Sequence, residues 1–258
     1  MNALEVIVSY YNQSPQYDIY HEVVGHLLNN LTEVEAATIY DMAAMCFVST
    51  TTISRLSKKF GYKSYIEFKM ALAEVIKNYT YHNRYFPMNA ISNDNDIYTT
   101  YSKTMQRQIV EFQKEVKNID VLQIVRDLHK HRKVNFYLYN SSSYADFFQM
   151  NLLISGIESI VVVDPMRQLA DAKTLDEGCA VIIDLPDLRE SINTRNIIKI
   201  AKEKKALIVL LTNSVNTDFI EYADYCYKFE GMNTILDGYK MDMFLNVLSM
   251  EYRYMFIK

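Results

Sequence analysis

The chain has 258 residues, half of them hydrophobic and 22% charged, with a net charge of -4. That length gives one large domain or two ordinary ones, each with its own core, and the composition excludes a disordered chain. The net charge supplies no overall attraction to nucleic acid, so any such affinity must come from a local patch.

In chain order, Leu4 to Asn12 form a short amphipathic helix that Ser14 and Pro15 end. Asp18 caps a second helix, in which Tyr20, Val23, Val24, Leu27, Leu28 and Leu31 recur at helical spacing. Thr38 and Asp41 form a capping box for a third helix with Ile39, Met42 and Ala43 inside. Ser49 is a good N-cap for a fourth helix running to Phe60, with Gly61 as its left-handed stop. A second box, Ser64 with Glu67, opens a fifth helix that reaches about Tyr79.

Between Thr80 and Asp96 the periodicity fails and Pro, Asn, Ser and Asp cluster, which marks a linker. The expected organisation is therefore a helical domain at 1–79, a linker at 80–96 and a second domain at 97–258. Beyond the linker, helices are expected from Ile97 to about Val116 and from Ile119 to His131. Apolar runs at Val134 to Tyr139, Ser159 to Val163, Cys179 to Ile183 and Ala206 to Leu211 then read as buried strands, with Tyr225 to Phe229 at an edge. Helical stretches at 143–156, 165–171, 190–204 and 216–222 separate them, an alternation that implies a parallel sheet covered on both faces. A last helix, from about Leu236 to Phe256, carries Met241, Phe244, Leu245, Leu248, Tyr252 and Met255 on one side, suited to its own sheet or to a dimer interface.

The fourth helix carries the clearest functional pattern. Ile53, Leu56 and Phe60 fall on one side, and Thr51, Ser54, Arg55 and Lys58 on the other, with Lys59 at the edge. This is the layout of a recognition helix in a helix-turn-helix. From Ser49 to Lys69 the balance is +4, from Arg55, Lys58, Lys59, Lys63 and Lys69 against Glu67, so an acidic protein still offers a basic face to double-stranded DNA. Thr51, Ser54, Arg55 and Lys58 are the candidates for the major groove, and Ser49 and Thr50 at the helix start are further DNA-binding candidates. Lys59, Lys63, Ser64 and Lys69 are candidates for phosphates, and Thr38 supports the backbone contact. The alternative for Arg55 is a salt bridge within the bundle.

Other chemistries are poorly supplied. The three cysteines, Cys46, Cys179 and Cys226, are widely spaced among apolar residues, as reduced thiols of a cytoplasmic protein would be. The five histidines all precede residue 132 and form no metal or catalytic constellation, so neither a metal nor a cofactor is expected. No apolar run reaches the roughly 18 residues of a membrane span, and no signal peptide opens the chain. With 6 glycines, none spaced for a Gly-rich phosphate loop, nucleotide folds of that kind are excluded.

Over nearly its whole length the chain resembles the RpiR/MurR family of bacterial transcription regulators. The segment TIYDMAAMCFVSTTTISRLSKKFGYKSYIEFK carries the resemblance, through Ser49, Thr52, Ile53 and Arg55 and the turn from Lys58 to Tyr62. The order of elements after the linker is similar to a sugar isomerase (SIS) domain, a flavodoxin-like, doubly wound α/β module. The resemblance implies a cytoplasmic homodimer or homotetramer that binds a DNA operator in response to a phosphosugar.

The effector site departs from the family pattern. The usual G-x-G-x-S at the end of the first strand is replaced by Leu138, Tyr139, Asn140, Ser141 and Ser142, followed by Ser143. The second phosphate loop aligns with Pro186 to Ser191, where Arg189, Glu190 and Ser191 are the polar candidates and Asp184 and Asp187 lie nearby. Two readings stay open. Either the serines and Arg189 bind an anion in a modified pocket, or the domain only dimerises and the serines are ordinary caps. A sugar-phosphate isomerase is the competing function. It needs a positioned base, and with no histidine after residue 132 only Glu190 or Glu230 is at hand, so the chain is expected not to be an enzyme.

Overall fold

The computed structural model describes residues 3–79, 96–185, 192–214, 218–231 and 236–257. The chain divides into two compact units, Met1–Asn83 and Arg84–Lys258.

Among its described residues the first unit holds five α-helices: α1 (Ala3–Gln13), α2 (Ile19–Asn29), α3 (Ile39–Met45), α4 (Thr50–Lys59) and α5 (Tyr65–Lys77). Each expected cap is present at its helix start. The Asp18 carboxylate accepts from the Tyr20 N–H, Ser49 Oγ accepts from Thr52 N–H, and Thr38 and Asp41 make both bonds of a capping box. The second box is only half made: Ser64 Oγ accepts from Glu67 N–H, but the Glu67 carboxylate reaches back to Lys63 N–H at 2.6 Å. Ile7, Val23, Leu27, Met42, Ile53, Leu56, Phe68 and Leu72 are fully buried and form one core.

Helix α4 ends as its sequence predicts. Gly61 has φ +87, its N–H donates to the Lys58 carbonyl, and Tyr62 N–H donates to the Ser57 carbonyl. This paired arrangement satisfies carbonyls the helix leaves open. Helix α3 ends with the same pair of bonds, Phe47 N–H to Ala44 and Val48 N–H to Ala43, but the left-handed position is held by Phe47 at φ +55. That turn sets α4 against α3.

The second unit opens with α6 (Ile97–Val116) and α7 (Val121–His129) and continues as β1 (Lys133–Tyr137), α8 (Ser143–Ile154), β2 (Val161–Val162), α9 (Pro165–Ala172), β3 (Cys179–Leu185), α10 (Ile192–Glu203), β4 (Leu207–Thr212), β5 (Tyr225–Lys228) and α11 (Leu236–Phe256). The five strands are parallel in the order β2-β1-β3-β4-β5, so the fold is a doubly wound, flavodoxin-like sheet. Alternation along β3 explains its unbroken apolar run: Ala180 and Ile182 face α7, α8 and α11, while Val181 and Ile183 face α9 and α10.

Two of the later elements depart from expectation, and one open alternative is decided. Strand β2 is two residues long because it is an edge, although backbone bonds from Val134 and Phe136 to the Glu158 and Ile160 carbonyls continue the pairing before it. Of the stretch 216–222, residues 218–222 are described and contain one 3-10 turn, Ile220–Tyr222, beside the buried Phe219. The apolar side of α11 packs on its own sheet: Met241, Phe244, Leu245, Leu248 and Tyr252 are buried there, with Met255 against the same core. The linker residues 80–95 lie outside the described residues.

Candidate nucleic-acid interface and effector crevice

On α4 the geometry sorts the basic side chains by what they touch. Thr51, Arg55 and Lys58 are exposed on the outer face, with Thr50 and Ser54 half-buried beside them. Arg55, Lys58 and Lys63 make no ion pair among the described residues. Arg55 is thus not drawn into the bundle. Ser57 is buried and donates its hydroxyl to the Ile53 carbonyl at 3.0 Å, so this polar group on the inner face is satisfied within the helix.

Lys59 and Lys69 have structural partners. The Lys59 ammonium lies 5.2 Å from the centre of the Tyr10 ring and 5.4 Å from that of Tyr20, a cation–π arrangement against α1 and α2. Lys69 donates to the Glu35 and Ala37 carbonyls at 3.3 and 3.2 Å, and Tyr65 donates to Ala37 at 3.0 Å, so both pin the turn that leads into α3. The hydroxyls of Thr38, Ser49 and Ser64 are held in caps. Two exposed aromatics, Tyr40 on the first turn of α3 and Phe47 in the turn before α4, were not among the sequence candidates. An aromatic on a polar helix face was the available signal for Tyr40.

In the second unit, the candidates around the end of β1 come together at the head of α8. Ser142 is its buried N-cap, accepting from Ala145 N–H at 3.4 Å, while Asn140, Ser141 and Ser143 are exposed. Arg189, Glu190, Ser191 and Asp187 lie outside the described residues. Two carboxylates complete the corner, one of them, Asp184, already expected near the effector loop and the other, Asp242, not foreseen from the sequence. Asp184, at the end of β3, accepts from Tyr139 N–H, and Asp242, on α11, accepts from the Ser142 hydroxyl. Burial pushes the Asp242 carboxyl up, and the Ser142 bond opposes it. Contact between residues 142 and 242 leaves no trace in local periodicity, so no sequence signal could have found it.

Helix α11 also carries Asp237, whose carboxylate accepts from Asn213 after β4 at 2.8 Å. It carries Lys240 too, a fully buried ammonium 2.8 Å from Glu115 and 3.6 Å from Glu111 of α6. Tyr227 donates to the same Glu115 at 3.0 Å, and Lys240 donates to the Glu230 carbonyl at 3.2 Å. Among the described residues there is no group of three His, Cys, Asp or Glu that could hold a metal ion, and no helix long and apolar enough to cross a membrane.

Comparison with known proteins gives three findings. Residues 1–79 match the helix-turn-helix domain of the rpiR family. Two curated relatives, both uncharacterised HTH-type transcriptional regulators, are 23% identical over 222 residues (Clostridium perfringens; 83% of this chain, 77% of the relative) and 24% over 230 residues (Haemophilus influenzae; 87% and 78%). The solved structure of the Vibrio vulnificus NanR protein complexed with ManNAc-6P aligns over 98% of this chain and 92% of that one, with a TM-score of 0.50 and 18% identity, and so shares the fold.

Proposed function

We infer that this chain, whose residues 1–79 are an rpiR-family helix-turn-helix domain, is a DNA-binding transcriptional regulator that acts in the cytoplasm and answers to a sugar-type effector through its α/β unit. The observation that carries the first half is the outer face of α4. Thr51, Arg55 and Lys58 stand exposed there, no acidic neighbour among the described residues pairs with the two cations, and Lys63 adds charge beyond the helix. Arg55 and Thr51 are suited to base edges, Lys58 and Lys63 to phosphates. The capping hydroxyls and Lys69 hold this surface in shape, and Lys59 anchors it to α1 and α2.

The test is a gel shift on the DNA beside the chain's own gene. Wild type should form a discrete complex, and the double variant Arg55→Ala with Lys58→Ala should lose it. Unchanged binding by that variant would remove the reading.

For the effector half, the support is the fold shared with NanR, a protein solved with ManNAc-6P, together with the serines at the head of α8. The NanR ligand suggests a phosphorylated sugar for this chain. Turnover of such a ligand is not expected, because no histidine follows residue 132 and the Glu230 side chain is exposed. A coupled assay on hexose and pentose phosphates should stay at background.

We also read the chain as a homodimer or homotetramer. Phe147, Met150 and Ile154 form an exposed stripe at i, i+3 and i+7 on α8, and Met250 and Tyr254 are exposed on α11, which packs beside α8. An apolar patch of this kind suits a second copy.

A further inference from the structure

In an open parallel sheet, ligands bind outside the carboxyl ends of the strands where the strand order reverses. Here that point lies between β1 and β3, since β2 and β3 flank β1 on opposite sides. Two donors face it: the backbone N–H of Tyr139, just past β1, and the Ser142 hydroxyl at the head of the twelve-residue helix α8. A helix start of that length carries partial positive charge and favours an anion.

Both donors already hold an anion, and both anions belong to the chain. Asp184 takes the Tyr139 N–H, and Asp242 takes the Ser142 hydroxyl. Asp242 comes from α11, 100 residues away, is half-buried, and makes no ion pair among the described residues. The Ser142 hydroxyl bond favours its charged form, against the burial that opposes it.

We propose that Asp242 is an internal stand-in for the anionic group of a ligand: a carboxylate latch joining α11 to α8 across the β1/β3 crevice, which a phosphate-bearing ligand must displace to reach Ser142. This rests on reading the crevice as the effector site. Displacement has somewhere to go, because the same first turns of α11 hold Asn213 through Asp237 and α6 through Lys240 and Glu115. A ligand that frees Asp242 therefore acts on the packing of α11 against α6, the helix that opens this unit.

The experiment titrates the full chain with a hexose 6-phosphate and, separately, with inorganic phosphate, by calorimetry. Wild type, Asp242→Asn, Ser142→Ala and the double variant are compared. Removing one like charge and one competitor at a few ångströms should tighten phosphate binding by at least about tenfold in Asp242→Asn. The double variant should lose that gain. A gain for the hexose phosphate alone assigns the phosphate to a sugar ligand, and a gain for both assigns the corner to phosphate itself. Equal or weaker binding by Asp242→Asn, a gain that survives Ser142→Ala, or no binding by any of the four proteins overturns the latch. Asp242→Ser, read in the same way, serves if Asp242→Asn does not fold. Gel shifts on the same proteins keep the two readings apart: wild type that binds no operator yet shows the phosphate competition removes the regulator and leaves the latch.

Discussion

The ammonium of Lys59 sits 5.2 Å from the centre of the Tyr10 ring, whereas its neighbour Lys58, exposed like Lys59 itself, has no ring contact and no ion pair among the described residues. One step of 100° along α4 separates a side chain set against the rings of α1 and α2 from one on the open outer face.

The two lysines should therefore respond differently to removal. Lys58→Ala should weaken operator binding uniformly across sequences and lower the salt-dependence slope by about one. Lys59→Ala should instead lower stability by about 0.5–1 kcal/mol and leave that slope nearly unchanged. Fluorescence anisotropy across a salt series, paired with urea denaturation, separates the outcomes.

Among the described residues, two helix ends hold a left-handed residue that is not glycine. Phe47 (φ +55) closes α3, and Lys205 (φ +57) closes α10, where the Lys205 N–H donates to the Lys202 carbonyl and the Ala206 N–H to the Ala201 carbonyl. A side chain in that region costs about 1–2 kcal/mol, partly offset by the chain entropy glycine loses. Lys205→Gly should thus stabilise the α/β unit by about 1 kcal/mol. Phe47→Gly should gain less, because it also gives up the edge-on contact with His26 at 5.2 Å. Denaturant midpoints measure both.

Lys240 is wholly buried, between Glu115, Glu111 and the Phe229 ring. Lys240→Met should cost about 3 kcal/mol, since it leaves Glu115 largely buried without its cation. Adding Glu115→Gln should recover part of the loss. A double-mutant cycle in urea gives the coupling.

Asp127 links α7 to β5, accepting from Lys130 at 2.6 Å and from Tyr225. Bonds from Lys130, Tyr225 and Gln123 lower its carboxyl to about 2. A depressed folded value means the stabilisation is complete above the unfolded value near 3.9 and is lost as pH falls toward 2. Asp127→Asn should consequently be less stable than wild type at pH 5–7, with the gap closing through that acid window. Denaturation followed by circular dichroism at a series of pH values reads the sign directly.

If the stripe on α8 meets a second copy, Phe147→Asp with Ile154→Asp should halve the mass seen by light scattering. Both residues are more than half exposed, so the fold itself should survive.

Much of this architecture is local in origin, and that is why it was legible. The caps at Asp18, Thr38, Ser49 and Ser64 bond within two or three residues. The stop at Gly61 and the apolar run of β3 likewise follow from backbone freedom and from burial on both faces. The outer face of α4 was readable for the same reason, since 3.6-residue periodicity alone separates Ile53 and Leu56 from Arg55 and Lys58. What periodicity cannot carry is the identity of a partner on another element. That Lys59 meets Tyr10, that Lys69 meets carbonyls 32 and 34 residues earlier, and that Asp242 meets Ser142 were decided by packing. Residue type predicted which side chains could bind an anion or a phosphate. Only the tertiary structure decided which of them were already held, because a hydrogen bond depends on where two segments lie in space and not on their distance along the chain.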